Sequence, residues 1–324
     1  MKLSLHPREL ICLPAGLAIE KLLTKSLDNH SLHIPVLTAE VTQLLDLAPG
    51  EVVVDATVGD GGHAEQLLTK ISPGGYLIGI DKDPEAVKAA YENLSHQKSN
   101  AKFIIVHGSF GDLSGIVKTA GYRRVDAILF DLGLSSRELL SERGFSFLRD
   151  APLDMRFDPA GPVTAADIIN SYPKEEIAKI LWEFGEERAS RKIAEAIFIA
   201  RRQDRILTTG QLAEIVTAAK SGRRGRINPA TQTFQALRIA VNDELGLIER
   251  ALPQAVKLLH PSGRVAVISY HSLEDRIVKN IFRDLAKTGV VQLITKKPVR
   301  PARNEVLQNP RARSAKLRVI SKIN

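Results

Sequence analysis

The sequence predicts a doubly wound α/β fold, a parallel sheet with helices on both faces, carrying a helical subdomain inserted between the fourth and fifth strands. Three observations predict it. Strand-length apolar runs alternate with amphipathic helical patterns through the first part of the chain. A glycine-rich turn follows the first run directly, and the alternation stops near residue 138 and resumes near residue 230.

The strand candidates are Val52–Val54, Tyr76–Ile80, Phe103–Val106, Ala127–Phe130 and Val265–Ile268. They lack polar alternation, as expected of strands buried on both faces. Between the first two, Ala64, Leu67, Leu68 and Ile71 fall on one helical face. Val87, Ala90, Tyr91 and Leu94 repeat that spacing behind Asp83 as N-cap and Pro84 at the first helical position. From Glu138 to Pro229 no strand pattern occurs. One helical stripe there runs through Ile177, Ile180, Leu181 and Phe184, and another through Leu212, Ile215, Val216 and Ala219 behind a Thr208/Gln211 capping box. A helix over Phe234–Leu259, bent or split at Pro253, leads into the fifth strand. The tail adds strand-like runs at Val290–Thr295 and Lys316–Ser321, with a Pro- and Arg-rich connection between them. The expected organisation is an N-terminal extension at 1–32, an α/β domain at 33–137 and 230–324, and a helical insertion at 138–229 that recognises substrate.

Composition narrows the function. The chain has 324 residues, 44% hydrophobic and 25% charged, the usual balance of a globular protein. Its single cysteine, Cys12, excludes an intrachain disulfide and a cysteine-built zinc site and suits a cytoplasmic location. The apolar run Leu10–Ile19 is interrupted by Pro14 and is about half the roughly twenty residues needed to span a bilayer. No membrane association is expected. The formal charge of +8 calls for an explanation such as a phosphate-rich partner. Val291–Asn324 carries nine basic residues against Glu305 alone, and Arg223, Arg224 and Arg226 cluster in the insertion. With aromatics at only 5%, phosphate contacts rather than extensive base stacking should dominate.

The chemistry concentrates at the carboxyl ends of the strands, where ligands of open parallel sheets bind. After the first strand the chain reads Asp55-Ala-Thr-Val-Gly59-Asp-Gly61-Gly62-His63 and enters a helix. Glycines let such a turn be tight and bring its amides close to a ligand. Asp81, twenty-two residues after Gly59, ends the second strand at the offset where an acid meets ribose hydroxyls. Phe110 follows the third strand and either packs on a purine or belongs to the core. Asp131 ends the fourth strand and either accepts hydrogen bonds from a ligand or caps a turn. A dinucleotide and S-adenosylmethionine would both use these parts. Asp60 beside the glycines is a poorer neighbour for a pyrophosphate than for a sulfonium, which favours the methyl donor.

Seven segments then stand in a recognisable order: Gly59-Asp-Gly61-Gly62-His63, Ile80-Asp81-Lys-Asp83-Pro84, Asp131-Leu-Gly133-Leu-Ser-Ser136, Glu142-Arg-Gly-Phe-Ser-Phe147, Pro152-Leu-Asp-Met-Arg156, Ser269-Tyr-His-Ser-Leu-Glu-Asp-Arg276 and Asn309-Pro-Arg-Ala-Arg-Ser314. From about Ser31 onward the chain resembles the MraW family of small-subunit ribosomal RNA methyltransferases. The resemblance implies a Rossmann-like class I methyltransferase fold, S-adenosylmethionine as donor, and methylation of the N4 amino group of a cytidine in the decoding centre of 16S rRNA, free or within the small subunit. It carries cofactor contacts to Gly61, Gly62, His63, Asp81, Phe110 and Asp131, beside Gly59 of the same turn. Another contact falls at Glu138, where the family usually has glutamine; a carboxylate accepts but cannot donate as the amide does.

The reaction would be an in-line displacement at a sulfonium methyl by an exocyclic amine whose lone pair is delocalised into the ring. An Asn/Asp-Pro-Pro-aromatic clamp, common in other amino-methyltransferases, is absent after the fourth strand. Asp131 is therefore the candidate catalytic group, with no metal. Arg156, His271, Arg223, Arg224, Arg311 and Arg313 are candidates for the substrate side. Arg156 could equally pair with a neighbouring acid, and His271 could equally be a structural hydrogen-bond partner. The oligomeric state is left open, a homodimer among the options. The competing readings are a dinucleotide-dependent dehydrogenase and a non-catalytic RNA-binding ribosome assembly factor.

Overall fold

The structure is a computed structural model and describes residues 35–220 and 228–323. The N-terminal extension, its Leu10–Ile19 run, and Arg223, Arg224 and Arg226 lie outside the described residues. The chain divides into two compact units.

The first unit takes in 35–135 and 243–323. Its seven-stranded sheet has the order β3-β2-β1-β4-β5-β7-β6. The strands are β1 Val52–Asp55, β2 Tyr76–Asp81, β3 Lys102–His107, β4 Val125–Asp131, β5 Leu259–Ser269, β6 Val291–Leu293 and β7 Lys316–Lys322. The first five pair in parallel, while β7 runs antiparallel to both β5 and β6. All seven strands expected from the sequence form, and the Rossmann-like class I methyltransferase arrangement is the one observed. Each buried strand feeds both faces. Val54, Ile78, Ile128 and Val267 pack toward Ile248, Leu252, Val278 and Phe282. Val53, Leu77, Leu129 and Ile268 pack toward Val41, Leu67 and Leu68 on the other side. Burying each such side chain contributes about 1.5–3 kcal/mol, which is why these runs tolerate no polar alternation.

Before the insertion the helices on these faces are α1 Thr38–Leu45, α2 Gly62–Ile71, α3 Pro84–Ser95 and α4 Leu113–Thr119, and two more join them after it. Helix α3 starts as expected, Asp83 accepting from the Glu85 amide at 3.0 Å with Pro84 following. Its buried face differs from the expected one: Ala86, Ala90 and Leu94 are buried, and Tyr91 is 59% exposed with its ring edge-on to Phe103.

The second unit comprises Ser136–Asn242 and is helical among the described residues. It contains α5 Ser136–Leu140, α6 Ala165–Ser171, α7 Lys174–Gly185, α8 Ser190–Ala200, α9 Thr209–Ala219 and α10 Thr231–Asn242. Both stripes are buried where expected, except that Phe184 and Ile215 are only half-buried. The Thr208/Gln211 capping box is present. Helix α10 packs closely on the end of α7, since a Cβ at Gly185 would lie 2.6 Å from the Gln232 carbonyl oxygen.

The sequence placed a continuous helix over Phe234–Leu259 with its break at Pro253, and the return to the α/β domain at 230. The break is instead at Asp243, whose φ of 52° is left-handed, and α11 Glu244–Leu258 continues through Pro253. Asn242 supplies the reason. Its Oδ1 accepts from the Phe157 amide at 2.9 Å and its Nδ2 donates to the Met155 carbonyl at 2.7 Å, which ties the end of α10 to the Asp154–Phe157 loop. Helix α10 accordingly belongs to the helical unit. The chain closes with α12 Ser272–Lys287 and α13 Arg303–Gln308.

Candidate active site

The β1–α2 turn forms the floor of the candidate site. Gly59 and Gly61 adopt φ of +53° and +93°, a region L side chains rarely enter, and a Cβ at Gly59 would meet nothing within 4 Å. Helix α2 starts at Gly62 without a side-chain cap, so its first amides point onward from the turn. Asp81, at the end of β2, fastens this turn from the side: Oδ2 accepts from Gly59 N and Oδ1 from Asp83 N, each at 2.9 Å. Burial pushes the Asp81 carboxyl up to about 6 despite those amide donors.

A second group assembles around Asp131 at the end of β4. Its Oδ1 accepts from the Tyr270 hydroxyl at 2.8 Å, and its amide donates to Thr57 Oγ1 at 2.7 Å. His63 Nε2 stands 3.5 Å from Asp131 Oδ2, an ion-pair distance too long for a good hydrogen bond. Burial opposes a charge on His63, but Asp131 and then Asp55 outweigh it and raise the imidazole above its ordinary value. Asp55 ends β1 with 1% exposure; burial pushes it up to about 7, and its Oδ2 has no hydrogen-bond partner among the described residues. Burial, then the Asp131 charge, keeps the Tyr270 hydroxyl protonated to well above its usual range.

The expected residues thus come together in two contacts, Gly59 with Asp81 and His63 with Asp131. Phe110 opens a 3-10 turn after β3 and meets the Phe130 ring edge-on at 5.7 Å, half-buried against the core. Glu138 is buried in the first turn of α5, within the helical unit. Sequence reasoning missed Asp55 and Tyr270 as members of this cluster. Asp55 carried a usable signal, a carboxylate directly after a buried strand, as at Asp131. Tyr270 lies 139 positions from Asp131, and only the β4–β5 pairing brings it there.

Several substrate-side candidates have structural tasks. Arg156 grips Asp154 through Nε to Oδ1 at 2.9 Å and Nη2 to Oδ2 at 2.6 Å, and donates to the Gly161 carbonyl at 2.7 Å. His271 caps α12 in a capping box, its Nδ1 accepting from Glu274 N at 3.4 Å, while Glu274 Oε2 accepts from Tyr270 N and His271 N. Glu244, His271 and Glu274 bring ligand-type atoms within 4.8 Å of one another, but Glu274 is occupied by that cap. In the basic tail, Lys316 and Arg318 pair with Asp275, and Lys322 donates to the Leu259 carbonyl, so these three tie β7 into the domain. Arg311 and Arg313 lie in the turn Pro310–Ser314, Arg313 exposed and Arg311 near enough to act on the Tyr270 hydroxyl.

A glycine turn fastened by an acid, with a second carboxylate at the end of β4, does not by itself decide the reaction. Comparison with known proteins does: the MraW methylase family matches residues 30–323. The chain belongs to the MraW methylase family. Ribosomal RNA small subunit methyltransferase H of Persephonella marina is 48% identical over 293 residues, covering 90% of this chain and 99% of that protein. The protein of the same name from Heliobacterium mobile is 46% identical over 310 residues, covering 90% and 99%. Among solved structures, an rRNA methylase from Streptococcus thermophilus aligns at 11% identity with a TM-score of 0.41, covering 89% of this chain and 94% of that one. That likeness is too loose to add to the topology. Membership in the MraW family makes the protein a methyltransferase and sets aside the dehydrogenase reading.

Proposed function

We propose that this methyltransferase modifies the N4 amino group of a cytidine in the decoding centre of 16S rRNA, acting in the cytoplasm on the free RNA or the small ribosomal subunit. The observation that carries the reading is the near-complete, 45–48% identity to proteins named ribosomal RNA small subunit methyltransferase H. The finer target is what the resemblance carried by the seven ordered motifs implies.

The methyl donor is S-adenosylmethionine, which supplies a methyl group made electrophilic by its sulfonium. The residues fit it. The glycine turn, open at Gly59 and packed on Ala90 and Leu94 at Gly61, the uncapped start of α2 and the carboxylate of Asp81 suit an adenosyl ribose. The buried Asp55 Oδ2, without a partner among the described residues, and the carboxylates of Asp81 and Asp131 at the strand ends suit a cation better than a pyrophosphate. In this reading His63 and Phe110 complete the cofactor side.

Asp131 positions the target. A carboxylate offers about four lone-pair directions. Tyr270 takes one at Oδ1, which fixes the group's orientation, and an N–H of the cytosine amine takes another. Drawing on that N–H increases the nitrogen's electron density as it attacks. Tyr270, holding its own proton, remains a donor throughout.

The test is labelled methyl transfer to naked 16S rRNA and to isolated small subunits, followed by nucleoside mass spectrometry. The expected product is N4-methylcytidine. Label on any other nucleoside, or no transfer by protein that binds S-adenosylmethionine, would overturn the proposal.

A further inference from the structure

The helical unit carries a groove of about 920 Å³ between α7 and α8, far along the sequence from every glycine and acid of the methyl-transfer site. Trp182, the single tryptophan of the chain, lines it and is 59% exposed. The core of the unit does not need this side chain, because α7 buries Ile177, Ile180 and Leu181 on its other face. A tryptophan ring that the core does not use offers a large, rigid stacking face to something outside the chain.

The charges around the ring say what kind of thing. Lys179, Arg188 and Arg191 line the groove and are exposed. Lys174 pairs with Glu195 at 2.6 Å between the two helices, which leaves Glu175 as the other acid of the lining. An aromatic face inside a ring of cations matches an unpaired nucleotide, whose base stacks while neighbouring phosphates meet the lysine and arginines. An apolar protein partner would not be drawn by that charge, and a membrane surface would find one ring and no apolar face around it.

We propose that this groove binds single-stranded RNA, with one base stacked on Trp182 and the flanking phosphates on Lys179, Arg188 and Arg191. The inference rests on the rRNA reading above and adds a docking site built from residues that the methyl-transfer site does not use. It also reconciles a low aromatic content with RNA binding, since a single stacking platform is enough to hold register.

Because Trp182 is the only tryptophan, its fluorescence reports on this groove alone. Titration of the full chain with a short single-stranded RNA should quench it, and more weakly as salt rises. Measured by anisotropy of a labelled RNA, Trp182→Ala should weaken binding roughly 5-fold or more, and Trp182→Phe less. Arg188→Glu with Arg191→Glu should flatten the salt dependence. None of these variants should change affinity for S-adenosylmethionine. An unquenched tryptophan, or a Trp182→Ala protein that binds RNA like the parent, overturns the proposal. So does a Trp182→Ala effect confined to self-association in sedimentation, which would make the groove an interface between copies. Transfer to small subunits is measured in parallel. If it yields N4-methylcytidine while the groove variants bind normally, only the docking site falls; if it yields none in the parent, the fault lies with the rRNA reading.

Discussion

Tyr270 donates its hydroxyl to Asp131 Oδ1 at 2.8 Å, joining the residue after β5 to the last residue of β4. A hydrogen bond to a charged group contributes about 1.5–3 kcal/mol, and this one also fixes which way the carboxylate faces. Tyr270→Phe should therefore lower the turnover of methyl transfer about 10-fold or more, with little change in affinity for S-adenosylmethionine. Asp131→Asn should cost roughly 100-fold or more, because it removes the acceptor itself. Steady-state transfer and calorimetric cofactor binding, read together, separate the two. Equal losses in turnover and cofactor binding for Tyr270→Phe would show that the tyrosine only supports the pocket.

Gly133 explains part of the Asp131-Leu-Gly-Leu motif. A Cβ there would lie 2.6 Å from Cε2 of the Tyr270 ring. The ring cannot absorb that by a flexible end, so Gly133→Ala should tilt it away from Asp131. The expected result is a loss of turnover close to that of Tyr270→Phe, in a protein whose circular dichroism and melting are nearly unchanged. Additivity of the two substitutions in the double variant would argue that they act separately.

Burial holds Asp81 at about 6, so its charge changes within the accessible pH range. The carboxylate accepts from the turn amides and, as proposed, from ribose hydroxyls, and both uses favour the ionised form. Affinity for S-adenosylmethionine should thus be full well above 6 and decline, by up to about tenfold per unit, as pH falls through that value. Asp81→Asn should bind weakly and lose this pH dependence. Isothermal titration between about pH 8 and about pH 5 gives the comparison.

Asp55 makes the opposite demand on stability. Its carboxyl is raised from 3.8 to about 7 in the folded chain, so folding favours the protonated form. That contribution is complete below the unfolded value and is lost as pH rises through about 7. Above neutrality the buried charge costs at most about 4 kcal/mol, taking ~1.4 kcal/mol per unit. Asp55→Asn should raise the melting temperature most at about pH 8 and bring a smaller gain at about pH 5. A fall in activity alongside that gain would mark Asp55 as strain kept for function.

The strands, the glycine turn and Asp81 were legible because each rests on a local pattern: an unbroken apolar run, a helix start, a fixed offset along one βαβ unit. Asp131 was legible for the same reason. What escaped depends on pairings between distant segments. Tyr270 reaches Asp131 only once β5 lies beside β4, and Asp243 breaks the helix because Asn242 is anchored to Met155 and Phe157. Pro253 was a natural place to expect the break, yet the tertiary anchor outweighed the local preference. Charge was the least reliable guide. Arg318 is nearly buried against Asp275, so a basic run in sequence became in part a set of structural ties.

Arg156 offers a clean case of that last point. Its guanidinium is committed to Asp154 and to the Gly161 carbonyl, and Asp154 raises it above its ordinary value. The same loop contains Met155 at a φ of 64°, and Arg143 ties it further by donating to the Phe157 carbonyl at 2.7 Å. Losing the grip on Asp154 would leave a left-handed residue held only by the Asn242 and Arg143 contacts. Arg156→Ala should accordingly destabilise the helical unit by about 1–3 kcal/mol. RNA affinity, measured at a temperature where the variant is still folded, should stay within about twofold of the parent, whereas removing a side chain that neutralises a phosphate would also reduce the salt slope by about one. Chemical denaturation and salt-dependent RNA binding on the same preparation decide between a loop clamp and a substrate-binding role, and the geometry of the Asp154 fork favours the clamp.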